Sequence, residues 1–288
     1  MVRDFLGKVI PEERKKAIKG SLRKLKGGFV NVFLSYDADD LRKHLVRIGI
    51  AENDTILVHA NFNPDNGFRG DPMDIVNVLV DRVAKLGNLM MVSIPFRGSA
   101  YDYLMAKKPF RLNKTMSMMG LLTESFRRKE GVQRSFHPTH PVLAFGKDSR
   151  WLVEGHENCL YPCGPGTPFE KFRTMNGKIM FFDVGFGAIT FFHYVEDLYK
   201  DKIPVPVYHD EVIMVQAYDK ENQPKEIRTY AFNKNLHRSA EKLEQEMEKR
   251  ALIRSSRIGN SRILLVGAED VVRCQGSMID AKNYPYDL

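Results

Sequence analysis

The chain has 288 residues, of which 43% are apolar and 28% are charged, and its formal net charge is +8. This composition is ordinary for a soluble globular protein, and the length suffices for one large domain or two small ones. No apolar run approaches the ~20 residues of a membrane-spanning helix, no apolar secretory segment opens the chain, and three cysteines do not indicate a disulfide framework. We therefore expect a reduced, cytoplasmic location.

The positive charge is concentrated in residues 1–36, where nine Lys and Arg outnumber three Asp and Glu. Apolar residues recur at helical spacing between Pro11 and Gly27, which predicts a short basic amphipathic helix. This helix could present a solvated face, contact a membrane surface or an acidic partner, or bind nucleic acid. We predict that residues 1–36 form an appendage to a single domain at 37–288. Because that domain is nearly neutral, we expect no nucleic-acid partner.

From residue 37 onward the predicted elements alternate between helices and strands. The patterns predict helices over 37–50, 73–86, 118–128, 189–199 and 236–247. They predict strands over 55–59, 89–94, 142–145, 179–184, 205–218, 227–232 and 263–266. The strands 205–218 and 227–232 are predicted to form a hairpin. Residues 97–117 are predicted to be irregular. This rhythm is typical of a layered α/β domain.

Histidine is the side chain best suited to proton transfer near neutral pH. Three histidines of the chain lie close to other polar residues in the sequence. His137 and His140 lie in RSFHPTHP, residues 134–141, directly before a predicted strand. On the predicted helix 189–199, Thr190, His193 and Glu196 recur every three residues and would share one face. Such a stripe either lines a pocket or consists of core residues whose hydrogen bonds are satisfied, and the pattern alone leaves both interpretations open.

Cys159 and Cys163 lie in CLYPCGPGTP, residues 159–168, a loop that proline and glycine make rigid. With His156, His137 and His140 nearby in sequence, these cysteines keep a metal-dependent hydrolase open as an alternative. No CxxC or HExxH spacing occurs, so we predict no metal site. A phosphate-binding P-loop, a GxGxxG turn and a GxSxG nucleophile elbow are also absent from the sequence.

Several motifs in fixed order resemble the aminoglycoside 3-N-acetyltransferase family. They are VHAN at 58–61, GLLTESFR at 120–127, GVQRSFHP at 131–138, AFG at 144–146, CGPGTP at 163–168 and TFFHYVE at 190–196. The resemblance runs from about Leu41 to about Val272. It implies a single three-layer α/β/α domain with a mixed central sheet, acetyl-CoA as the co-substrate, and an amine of an amino sugar as the acceptor.

The resemblance also implies roles for individual residues. The histidine of the RSxHP element corresponds to His137 and the carboxylate of the TxxHxxE element to Glu196, and these two are the predicted catalytic residues. The remaining predicted contacts fall into two groups. The predicted cofactor-binding residues are His59, Ala60, Asn61 and Thr167. The predicted substrate-binding residues are Thr190, His193, His140 and Asp197.

A direct transfer follows from these assignments. An ammonium group has no lone pair, so the acceptor must lose a proton before or during its attack on the thioester. We predict that His137 is the general base, and that Glu196 orients it or holds the acceptor ammonium. The acceptor stays open between an aminoglycoside, another amino sugar and another amine. A non-enzymatic protein that binds nucleic acid or a membrane surface is the remaining alternative.

Overall fold

The computed structural model describes residues 32–287, together with Arg14 and Val30. Apart from Arg14, the basic helix predicted between Pro11 and Gly27 lies outside the described residues. Tyr36, the last residue of the predicted appendage, is buried against Phe68, and its hydroxyl lies 2.7 Å from that of Ser261. Val30 is buried as well, so described residues of the predicted appendage pack against the main domain. Within the described residues, no helix is long and apolar enough to cross a membrane.

Helices and strands alternate through most of the described chain. The helices are α1 Ala38–Arg47, α2 Pro72–Val83, α3 Ala100–Met105, α4 Leu121–Arg128, α5 Ser149–Val153, α6 Pro168–Thr174, α7 Phe192–Tyr199, α8 Ala240–Lys249 and α9 Ala268–Asp280. The strands are β1 Thr55–Ala60, β2 Asn88–Val92, β3 Phe110–Arg111, β4 Gln133–Arg134, β5 Val142–Gly146, β6 Lys178–Phe182, β7 Ile213–Tyr218, β8 Pro224–Thr229, β9 His237–Arg238, β10 Arg254–Ile258, β11 Ser261–Gly267 and β12 Tyr286–Asp287.

The central sheet is mixed and has the strand order β10-β11-β6-β1-β2-β5-β4. Strand β1 pairs in parallel with β2 and β6, whereas β5 runs antiparallel to β2 and β11 antiparallel to β6. This arrangement confirms the predicted α/β fold with a mixed central sheet. A separate three-stranded sheet, β3-β7-β8, contains the predicted hairpin, which turns at Asn222 with a φ of 59°.

Two apolar cores lie on opposite faces of the central sheet. Alternate residues of one strand enter different cores: Ile56 and Val58 of β1 pack with α1, α2 and α4, while Leu57 packs with α6, α7 and α9. The same alternation separates Met180 and Phe181 in β6. Because side chains of a strand point to opposite faces in turn, continuous apolar runs produce a sheet that is buried on both sides. The three layers follow from this double burial.

The structure corrects several predicted boundaries. Helix α7 begins at Phe192, so Thr190 precedes the helix and does not belong to its polar stripe. Residues 205–212 form no strand, and α3 lies within the segment predicted to be irregular. Strand β10 and helix α9 were not predicted. Polar residues dominate β10, which is an edge strand, and Gly276 interrupts the pattern of α9 because a Cβ there would lie 2.4 Å from the Tyr199 hydroxyl.

Candidate active site

The polar residues singled out in the sequence lie at one edge of the central sheet. His59 and Ala60 end β1, the segment 93–99 follows β2, and α7 follows β6. These three strands are parallel, so their carboxyl ends meet at the same edge. Since β5 is antiparallel to β2, the segment 137–141 that precedes β5 reaches that edge as well. Ligands of open α/β sheets commonly bind at this edge.

A cavity of about 360 Å³ opens at this edge. The loop after β2 and the start of α3 form one wall, and His140 and His193 line another. Residues 232–234 and Arg238 complete the lining, and the Phe232 ring packs against that of His193. The complete lining consists of Ile94, Phe96, Gly98, Ser99, Ala100, His140, His193, Phe232, Asn233, Lys234 and Arg238. Its volume lies within the range of small-molecule sites, roughly 300–1,000 Å³.

His193 is held by a buried carboxylate. Its Nδ1 lies 2.5 Å from Oε2 of Glu196, one turn later in α7, and the Glu196 side chain is fully buried. Arg238 donates from Nε to both carboxylate oxygens of Glu196 at 2.9 Å. The side chain of His193 keeps 22% of its surface exposed and lines the cavity. With Nδ1 engaged by the carboxylate, Nε2 is the ring nitrogen left for a ligand.

The charge state of His193 follows from its surroundings. Burial lowers the pKa of His193 below its ordinary value of 6.5, although the Glu196 carboxylate acts in the opposite direction. The ring is therefore neutral at pH 7 and can accept a proton. Phe232 packs on this ring at a centroid distance of 4.3 Å, and the guanidinium of Arg238 lies 5.1 Å from the Phe232 ring. These contacts fix the plane of the imidazole.

His140 and His137 form a second layer beside His193. The His140 ring meets the His193 ring edge-on at 6.0 Å, and its Nδ1 lies 3.0 Å from Oγ1 of Thr139. His137 is fully buried, stacks on His156 at 4.5 Å, and receives the backbone N–H of Thr139 at Nδ1. Burial lowers the pKa of both His137 and His140 well below 6.5. His140 lines the cavity, whereas His137 lies behind it.

The structure therefore pairs Glu196 with His193 and Arg238. Among the described residues, Glu196 makes no hydrogen bond or ion pair with His137, the partner that we predicted for it. The difference has a simple geometric cause. His193 and Glu196 lie three residues apart on one helix face, so the carboxylate meets that ring within its own helix.

The predicted cofactor residues occupy two places. His59 is buried, stacks on Phe181 and has no partner at Nε2, and burial lowers its pKa to about 4. Ala60 and Asn61 continue from β1 towards the surface, and Gly120 lies close to the Ala60 carbonyl. Thr167 is fully buried and lies elsewhere in the loop before α6. Its hydroxyl donates to Gly164 O at 2.6 Å and accepts from Phe169 N as the N-cap of α6.

Thr190 and Asp197, both predicted to bind substrate, do not line the cavity. Thr190 is buried, and its carbonyl accepts the N–H of His193 at 3.0 Å. Asp197 points away from Glu196 on the next position of α7, where it accepts a hydrogen bond from the Tyr208 hydroxyl at 2.7 Å. Burial raises the pKa of Asp197 to about 7.

His156, one of the residues considered for a metal, has both ring nitrogens engaged in hydrogen bonds. Nδ1 of His156 lies 2.8 Å from the Ser135 hydroxyl, and Nε2 lies 2.9 Å from Pro162 O. Cys163 is fully buried, and burial raises the pKa of its thiol well above 9.0. Across residues 32–287, with Arg14 and Val30, no group of three or more His, Cys, Asp or Glu could hold a metal ion.

Of the eleven residues that line the cavity, only His140 and His193 were predicted from the sequence as site residues, and Phe232, Lys234 and Arg238 are among the nine that were not. These three lie in FNKNLHR, residues 232–238, which carries no motif. Arg238 reaches the site because its guanidinium also donates to the carbonyls of Asn233, Leu236 and Val207. An arginine with this many backbone contacts is recognisable in a structure, whereas its sequence gives no signal.

Comparison with known proteins identifies the family of the chain and agrees with its fold. The family model described as aminoglycoside 3-N-acetyltransferase matches residues 57–280 of the chain. The chain belongs to the aminoglycoside 3-N-acetyltransferase family. The match confirms the resemblance inferred from the motifs, and it includes the edge of the sheet that carries His59, His137, His140, His193 and Glu196.

Sequence relatives within the family are distant and match over part of their length. The aminoglycoside N(3)-acetyltransferase VII of Streptomyces paromomycinus is 26% identical over 171 residues, which are 55% of this chain and 59% of that protein. The aminoglycoside N(3)-acetyltransferase III of Serratia marcescens is 26% identical over 55% of this chain and 62% of its own. The chain thus spans less than two thirds of these relatives in sequence.

Solved structures of the aminoglycoside 3-N-acetyltransferase family share the fold. The aminoglycoside acetyltransferase AAC(3)-Xa superposes with a TM-score of 0.73 at 19% identity, covering 87% of this chain and 95% of that one. AAC-IIIb in binary complex with CoASH gives 0.72 at 19% identity, over 86% and 97%. The YokD protein of Bacillus subtilis gives 0.72 at 18% identity, over 89% and 98%.

Proposed function

We propose that this protein transfers an acetyl group from acetyl-CoA to an amine of an aminoglycoside or a related amino sugar. The observation that carries the proposal is the pair formed by His193 and Glu196 at the wall of an open cavity. Family membership supports the reaction type, because related members are named aminoglycoside N(3)-acetyltransferases. The fold shared with a CoASH-bound acetyltransferase supports the donor.

The chemistry requires a base that meets the acceptor amine. The ammonium form passes a proton to Nε2 of His193, and the nitrogen lone pair then attacks the thioester carbonyl. A C–N bond forms and the C–S bond breaks. The imidazolium passes its proton to the departing sulfur, so CoA leaves as a thiol, and the attacking nitrogen releases its second proton to solvent to give the neutral amide. Glu196 keeps the ring proton on Nδ1 and stabilises the imidazolium as it forms, which is the usual role of a carboxylate behind a catalytic histidine.

The alternative base is His137, as predicted from the motifs. Its Nε2 is buried without a protein partner, and the ring is shielded from the cavity. The backbone N–H of His140 approaches Nδ1 of His137 at 3.4 Å, so His137 can position the neighbouring cavity residue. We favour His193 as the base because it combines a carboxylate partner with an exposed ring edge.

Direct transfer is favoured over an acyl-cysteine intermediate. A cysteine nucleophile needs an accessible thiolate, which a neighbouring cation or histidine normally stabilises. Cys163 is fully buried, and the thiol of Cys159 contacts the carbonyl of Gly155 at 3.6 Å. Burial raises the pKa of both thiols, so both remain protonated near neutral pH.

A second cavity offers a place for the donor. It has a volume of about 530 Å³, is mostly apolar, and shares Phe96 with the first cavity. Met116 and Met118 line it, as do Arg97 and Lys108, whose charges suit the phosphates of CoA. Two residues beyond Met118, Gly120 adjoins the predicted cofactor residue Ala60. We therefore propose that the pantetheine arm lies between this cavity and the His59–Asn61 segment.

The proposal is tested by incubating the full chain with acetyl-CoA and a panel of amino sugars and aminoglycosides. Release of the CoA thiol is measured together with the mass of the acetylated amine. We expect thiol release that depends on the amine and matches the product in amount. Thiol release that is independent of any amine, or none with every acceptor, would overturn the assignment.

A further inference from the structure

The cavity wall has an unusual charge for an enzyme that binds polycations. Among the described residues that line it, none is Asp or Glu, whereas Lys234 and Arg238 both contribute to it. Glu196 is the nearest carboxylate of α7, but its side chain is fully buried and its two oxygens are engaged by His193 and Arg238. A bound polycation would meet cations without meeting a free carboxylate.

Two carboxylates close to the lining residues, those of Asp102 and Glu211, are also engaged. Asp102 of α3 lies 2.6 Å from Nζ of Lys234, and this ion pair joins α3 to the segment 232–238. Glu211, on the loop near His209, accepts a hydrogen bond from the Tyr101 hydroxyl. The His140 and His193 rings are neutral at pH 7 because burial lowers their pKa values. The charged side chains among the described residues that line the cavity are therefore two cations, Lys234 and Arg238, and each is paired with a carboxylate outside the lining.

Lys234 can exchange its partner for a ligand. The Lys234 side chain is 39% exposed and that of Asp102 is 62% exposed. Because their ion pair is solvent-exposed, it contributes little to the stability of the fold. An anionic group inside the cavity would meet the same ammonium in a less polar setting, between Phe96 and Phe232. Charge–charge attraction strengthens as the local polarity falls.

We propose that the acceptor is a monoamine that also carries an anionic group, phosphate or carboxylate, and that Lys234 binds this group while His193 receives the proton of the amine. The inference rests on the proposed acetyl transfer and assigns the acceptor to a chemical class. A polycationic aminoglycoside places further ammonium groups near Lys234 and Arg238 and is therefore a poor substrate. Lys234 is accordingly a specificity-determining residue.

The test compares three acceptors with the full chain and acetyl-CoA: glucosamine, glucosamine 6-phosphate and gentamicin. The first two differ only in the phosphate, and the third is a polycation. We expect kcat/KM for glucosamine 6-phosphate to exceed that for glucosamine about tenfold, since one charge-assisted hydrogen bond has roughly that effect. Gentamicin should be the poorest of the three. Equal values for all three, or a preference for gentamicin, would overturn the inference.

Lys234→Gln provides the matched variant. The ratio of kcat/KM between the phosphorylated and the plain amino sugar should fall towards one, and Lys234→Glu should shift preference towards gentamicin. Lys225→Gln, an exposed position of β8 outside the cavity, should keep the wild-type ratio. An unchanged ratio in Lys234→Gln contradicts the assignment of this lysine.

A binding measurement separates this inference from the proposed function. Glucose 6-phosphate lacks the amine, so it should compete with the acceptor more strongly than glucose does, and Lys234→Gln should abolish the difference. If no acceptor is acetylated and acetyl-CoA is not consumed, both the proposed acetyl transfer and the inference that rests on it are contradicted. If acetyl transfer occurs with gentamicin as the best acceptor, only the inference falls.

Discussion

Glu196 joins His193 to Arg238: Oε2 lies 2.5 Å from Nδ1 of His193, and both oxygens lie 2.9 Å from Nε of Arg238. The Glu196 carboxylate has no exposed surface, and it is bound by the side chains of His193 and Arg238. A buried carboxylate of this kind needs a cation, and Arg238 supplies it. The consequence is that the imidazole on the other side is fixed in one tautomer.

Replacing Glu196 with Gln tests this arrangement. The amide keeps the size of the side chain but removes the negative charge that stabilises the imidazolium. We expect kcat to fall by ~10²-fold or more, with a smaller effect on acetyl-CoA affinity. The measurement is kcat at saturating acetyl-CoA, with Glu226→Gln, an exposed position of β8, as the control. A kcat within about threefold of the wild type contradicts the proposed role.

Asp197 predicts a pH dependence of stability. Burial raises its pKa from 3.8 to about 7 in the folded chain. Between these values the folded chain holds a proton that the unfolded chain has released, so the contribution of Asp197 to the free energy of unfolding falls as the pH rises. The fall amounts to roughly 2 kcal/mol from about pH 5 to about pH 7.

Asp197→Asn removes this contribution while retaining an acceptor for the Tyr208 hydroxyl. The buried histidines have lowered pKa values, so their contribution rises with pH up to about 6.5 and opposes that of Asp197. The informative quantity is therefore the difference in unfolding free energy between wild type and variant, measured by urea denaturation at several pH values. A difference that is independent of pH would show that Asp197 is ionised throughout.

Thr167 was predicted to contact the cofactor, and the structure gives its hydroxyl a capping role in α6. Thr167→Ala should lower the free energy of unfolding by ~1–2 kcal/mol, because an N-cap and a buried hydrogen bond are lost together. Thr167→Ser retains the hydroxyl and should restore most of the stability. Calorimetry with acetyl-CoA separates the two roles: a loss of affinity in Thr167→Ala without a loss of stability would favour the predicted contact.

The fold was predictable to the extent that apolar periodicity encodes it. Strands β1 and β6 are continuous apolar runs, and each contributes side chains to both cores. Such runs predict buried strands from the sequence alone. Edge strand β10, RSSRI, has one strongly apolar residue and is defined by its pairing with β11, which no local pattern shows. Likewise, α9 contains Gly276, whose presence reflects the nearby Tyr199 hydroxyl.

The candidate site was predictable in its histidines and less so in their partners. The spacing of His193 and Glu196 already places them on one helix face, and the structure joins them. The motif resemblance predicts His137 as the general base instead, and His137 lies behind the cavity. Arg238 and Lys234 come from a segment that is distant in sequence from α7 and β2, so their presence at the cavity depends on the tertiary fold.

The assignment of the base is tested most directly by comparing His193→Ala with His137→Ala. Both variants are assayed for kcat at saturating acetyl-CoA, and calorimetry with acetyl-CoA checks that each still folds and binds the donor. We predict that His193→Ala lowers kcat by ~10²–10⁴-fold while donor affinity persists. If His193→Ala retains its turnover and His137→Ala loses it, then His137 is the base and the pair of His193 with Glu196 has a structural role.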